Sequence, residues 1–154
     1  MKSILLAGLV LALAGVARAE HAHKPPHGGA LVELGAHFAH IEVVLHSASG
    51  TVTVYVLDGE AEKPIRLKAK KLELEVSEAD QKKADVKVEL KPVASSLTGE
   101  KEGDTSEFSA QSDQLKNVKV FKGVLKELQV KGKKFEKVEI DFPKGNEGSH
   151  KHDH

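Results

Sequence analysis

Apolar and polar residues alternate along most of this chain with the two-residue period of a β-strand. From Phe38 to His46 the odd positions Ala39, Ile41, Val43 and Leu45 are apolar, and the even positions Phe38, His40, Glu42, Val44 and His46 are mixed. After Ser47-Ala48-Ser49-Gly50, the run Thr51-Val52-Thr53-Val54-Tyr55-Val56-Leu57 alternates again, with the β-branched content that a pleated, half-buried surface favours. The two runs predict a hairpin that ends at the turn dipeptide Asp58-Gly59. Further strands are predicted at 65–68, 71–76, 85–90, 107–110, 118–121 or 124–130, and 135–142. The Ser, Thr, Gly and charge-rich stretch 95–106 reads as a loop. Helix has room only near 77–83 and 114–116.

Strands at this spacing predict an all-β domain, a single antiparallel β-sandwich, immunoglobulin-like or similar, of about seven to nine strands. The Lys/Glu alternation on the outer faces reads most simply as a solvated surface that resists edge-to-edge association.

The ends break this pattern. Lys2, the apolar run Ile4–Val16 and the small-x-small sequence Ala17-Arg18-Ala19 predict a secretory signal peptide over 1–19, cleaved before Glu20. The expected organisation is then a His/Pro-rich flexible arm over 20–28, a β-sandwich domain over 29–142 and a disordered His-rich tail over 143–154. The expected location is periplasmic or secreted, with no membrane insertion after cleavage. No cysteine is present, so neither a lipid-anchored cysteine nor a disulfide framework is expected.

Loss of 1–19 leaves 21 of the 23 basic side chains against 23 acidic ones. With that balance, and with five Phe, one Tyr and no Trp, nothing predicts a nucleic-acid partner. Catalysis is not expected either. The chain has no cysteine nucleophile, no Gly-x-Ser-x-Gly elbow, no His-Glu-x-x-His helix and no phosphate loop.

The histidines carry the chemistry. Six of nine lie between His21 and His46, three more are His150, His152 and His154, and none falls between. Neutral imidazole is the commonest metal ligand, so the chain is expected to bind a divalent transition metal, Cu(II) or Zn(II) foremost and Ni(II) next.

Three groups are candidates. Glu20-His21-Ala22-His23 would place a free amine, a backbone amide and an imidazole within chelating reach of Cu(II); a polar spacer is the plainer reading. His40 and Glu42, two apart on a strand, leave the same face about 6 to 7 Å apart, close enough to share an ion. His37 or His27 would complete that shell, with His46 further along the face; the plainer reading is a row of solvent-facing polar residues. His150, His152 and His154 would bind divalent ions weakly and with little selectivity.

Pro26-His27-Gly28-Gly29-Ala30-Leu31-Val32-Glu33-Leu34-Gly35, with 40–45 and 50–58, resembles a group of small exported bacterial proteins. These have His-rich ends and a β-rich middle, often accompany heavy-metal efflux components and have no assigned activity. The resemblance covers about a third of the chain. It implies periplasmic metal handling, a metal efflux component as partner, and some weight on His27, His40 and Glu42. The competing expectation is a non-catalytic adaptor of the cell envelope whose histidines are incidental.

Overall fold

The computed structural model describes residues 23–146. The expected signal peptide, His21, and the tail histidines His150, His152 and His154 lie outside the described residues. The described chain is all-β, with eight antiparallel strands. They are β1 (Ala30–Leu34), β2 (Ala39–His46), β3 (Thr51–Leu57), β4 (Leu72–Ala79), β5 (Lys82–Pro92), β6 (Glu107–Gln111), β7 (Phe121–Val130) and β8 (Lys133–Phe142).

The strand order is β1-β2-β3-β6-β5-β4-β7-β8 in one continuous sheet. The sheet is nearly closed on itself, so the architecture is barrel-like, where the sequence suggested the two facing sheets of a sandwich. The link is β5, whose Lys91 and Pro92 pair with Ser109 and Phe108 of β6 while its preceding residues pair with β4. An alternating strand buries one face equally well in either arrangement, which is why periodicity does not tell them apart.

Closure comes from the end of the chain. The amide of Asn146 donates to the Leu31 carbonyl at 3.1 Å, and its side-chain Oδ1 accepts from the Glu33 amide at 2.7 Å. The first residues of the segment expected as a free tail therefore continue the β8 edge onto β1. Residues 147–154 lie outside the described residues.

The core fills the interior with Ala30, Val32, Leu34, Ala39, Ile41, Val43, Val52, Val54, Val56, Leu72, Leu74, Val76, Leu90, Phe108, Phe121, Leu125 and Ile140. Two hairpins use the tight turn that a right-handed twist prefers, with successive positive φ angles at Asp80 and Gln81 and at Lys131 and Gly132. The first of these turns, Asp80-Gln81 with the strand ends on either side, takes up 77–83, where a helix was possible from sequence. The only helical element among the described residues is a three-residue 3-10 turn, Asp113–Leu115. Residues 65–68 are not a regular strand; Pro64 and Leu67 make isolated bridges to Leu57 and Thr105.

On the β4, β5, β7 and β8 side the outer face is charged. Lys71 bridges Glu73 and Glu89, Lys126 bridges Glu73 and Glu75, and Lys134 bridges Glu127 and Glu136. These exposed pairs keep the surface solvated and add little stability each. The opposite side differs. All five residues of β1 and the first five of β2 are buried, so both faces of these strands are covered. Outside the barrel, Leu31, Leu57 and Ala61 form a second small apolar cluster. Residues 23–29 lie across this outer face.

Candidate metal centre

Register sets the rows of this outer face. Glu33, His40 and Leu57 are neighbours across β1, β2 and β3, and Leu31, Glu42 and Tyr55 form the next row. His40 and Glu42 thus project together from β2, as their spacing requires, but both are fully buried. A buried imidazole and a buried carboxylate need polar partners, and each has found a different set.

His40 belongs to a histidine group. Its ligand atom and those of His23 and His37 all lie within 4.8 Å of one another. The His23 ring centroid is 5.2 Å from that of His40 and 5.8 Å from that of His37, at steep interplanar angles. Metal–imidazole distances near 2.0 to 2.1 Å place ligand atoms of one tetrahedral ion roughly 3.3 Å apart, so a modest inward movement of these rings closes a three-nitrogen shell. The group can hold a metal ion.

Two of the three rings are oriented by the sheet. His40 Nδ1 lies 3.0 Å from the Asp58 carbonyl oxygen, to which the Nδ1–H donates, leaving Nε2 as the ligating nitrogen. The Asp58 carboxylate fixes the turn that presents this carbonyl. Burial pushes its pKa up, but the amides of Glu62, Lys63 and Glu60 outweigh that and hold it below the usual carboxylate range. His37 sits in the β1–β2 turn at φ +53°, a left-handed conformation that histidine tolerates better than most side chains. The buried carboxylate of Glu33 holds that turn, accepting from the His37 amide at 2.5 Å and lying 3.5 Å from His37 Nδ1. A carboxylate behind a ligating imidazole is a common arrangement in metal sites. The glycine at 59 is required here, because a Cβ at that position would overlap the His37 carbonyl oxygen.

Glu42 faces the arm. Its Oε1 accepts the amides of His27 at 2.8 Å and Gly29 at 2.9 Å, and its Oε2 lies 2.7 Å from His27 Nδ1, which donates to it. The His27 ring stacks on Tyr55 with centroids 3.7 Å apart and planes 7° apart. Burial raises the Tyr55 pKa, with Glu107 and then Glu42 adding to the rise. Burial likewise raises Glu107, reinforced by Glu100.

Of the residues singled out from sequence, the structure therefore brings together His23, His37 and His40, and pairs Glu42 with His27 in a separate polar cluster. His46 stands at the exposed far end of β2. His21, His150, His152 and His154 lie outside the described residues. Glu33 was not a sequence candidate, although its place four residues before His37 was visible. Asp58 enters through its backbone, which no side-chain pattern records. No family model, no curated protein and no solved structure matches this chain.

Proposed function

We propose that this chain is an exported, non-catalytic metal-binding protein that holds one divalent transition ion on His23, His37 and His40. The observation that carries the reading is the convergence of three imidazoles, with the His40 ring held by the Asp58 carbonyl and the turn that carries His37 held by the Glu33 carboxylate. Three neutral nitrogens and no thiolate or thioether suit Cu(II), Zn(II) or Ni(II) better than a soft monovalent ion. Buffering or delivery fits such a donor set better than hydrolysis. One ligand comes from a terminal arm, and the nearby carboxylates of Glu33 and Glu42 are already engaged, so neither stands ready to activate a water.

Export rests on the leader-like sequence of residues 1–19, and delivery to a metal efflux component rests on the resemblance carried by residues 26–35, 40–45 and 50–58. The test is calorimetric titration of the chain beginning at Glu20 with Cu(II), Zn(II) and Ni(II), compared with His37→Asn. Asparagine accepts the left-handed backbone at 37 but removes the imidazole. The tightest binding event should weaken at least about tenfold. If no metal binds more tightly than about millimolar, or if the tightest event survives His37→Asn, this reading falls and the adaptor reading takes its place.

A further inference from the structure

We propose that Glu42 is the positioning residue of the metal site: it binds no ion, but anchors the N-terminal arm so that His23 reaches His37 and His40. The inference rests on the metal-binding reading above and adds to it a division of labour. His37 and His40 are ligands held by the β1–β2 hairpin, and His23 is one held through Glu42.

The geometry supports this in three steps. First, the carboxylate has no solvent exposure, and both oxygens point at the arm, receiving two backbone amides and one ring N–H from His27 and Gly29. A carboxylate accepting three such bonds is committed to holding that segment in place. Second, the anchored residue is clamped from its other side by the Tyr55 ring, whose strand position is directly across from Glu42. Third, only Lys24, Pro25 and Pro26 separate the anchor from His23. Two consecutive prolines restrict the backbone on both sides, and the Gly28 amide closes a turn onto the Pro25 carbonyl at 3.3 Å. Seating His27 therefore seats His23 through a short, stiff connection. The hairpin supports His37 and His40 independently of this anchor, through Glu33 and Asp58.

The test is a double-substitution cycle on the chain beginning at Glu20, read by Zn(II) titration and by the number of nitrogens coupled to bound Cu(II) in pulsed electron paramagnetic resonance. Glu42→Gln should weaken the tightest event about tenfold or more and reduce the coupled imidazoles from three to two, as should His23→Ala. Combining them should cost no more than the worse single change, because both remove the same ligand. His27→Ala changes a half-exposed residue outside the barrel core and serves if Glu42→Gln does not fold; the same loss and the same non-additivity are expected. Undiminished binding in both Glu42→Gln and His27→Ala would overturn the proposal. So would a full further loss when Glu42→Gln is added to His23→Ala, which would make Glu42 an independent ligand. A tightest event that survives His37→Asn unchanged would remove the metal-site reading itself, and this proposal with it.

Discussion

At the scale of single residues, the site depends on groups that are not ligands. Gly59 is the clearest case, because a methyl group there would meet the carbonyl of His37, backbone against backbone. Gly59→Ala should displace the β1–β2 turn, costing about 1 to 3 kcal/mol of stability and weakening metal binding together. Denaturant unfolding and titration of the same preparation check this. Stability lost without any change in affinity would show that the turn shifts without carrying His37 along. The histidine cluster and the His40–Glu42 spacing were legible in the sequence, because imidazoles are rare enough to stand out and a strand's two-residue period is rigid. The partners of each were not. Which of two neighbouring polar residues joins the histidine group and which meets the arm depends on how residues 23–29 lie across the sheet, and an arm with two prolines and no apolar period gives no sign of that path.

At the scale of elements, the strands followed their alternation closely, and the discrepancies came where a turn or a second covering layer decided the outcome. The β4–β5 hairpin replaced a possible helix because Asp80 and Gln81 adopt positive φ, which local composition does not announce. Its tip is fastened by the Asp80 carboxylate, which accepts the amides of Lys119 at 2.9 Å and Val120 at 3.1 Å. Those amides hold the Asp80 pKa below its usual value. A depressed carboxylate contributes stability that is fully present above its unfolded pKa, near 4, and is lost as pH falls through the lower folded value. The wild-type thermal midpoint should therefore drop more between pH 5 and pH 3 than that of Asp80→Asn, which keeps the backbone conformation but has no carboxylate to protonate. Equal acid sensitivity would show that Asp80 contributes nothing to it. Barrel closure can be tested as directly. Asn146→Ala removes the acceptor of the Glu33 amide and should cost about 1 kcal/mol, with hydrogen exchange of that amide speeding up. If exchange at Glu33 is unchanged, the edge is held by other contacts.

At the scale of the whole molecule, binding at His23, His37 and His40 ties the start of the described chain to the hairpin that also receives its end at Asn146. An ion present at a hundred times its dissociation constant adds about 2.7 kcal/mol to stability, which for a domain of this size should raise the thermal midpoint by roughly 8 to 15 °C. His37→Asn should abolish most of that rise in a calorimetric scan with and without Zn(II). A rise that persists would place the stabilising ion elsewhere. The two-sided burial of β2 has a further consequence, for folding itself. A strand covered on both faces by apolar residues could slip by one position and bury nearly as much surface, since every side chain would simply exchange faces. Here such a slip would turn His40 and Glu42 inward among Val32, Val54 and Val56, away from Asp58 and the arm amides, at the cost of stranding a carboxylate in hydrocarbon. Replacing both with valine should therefore leave β1–β3 able to pair in more than one alignment, visible as doubled amide resonances in those strands. The two polar side chains beneath the arm act as the hairpin's alignment key, so the same pair that supports the candidate metal centre also tells the folding strand which way to face.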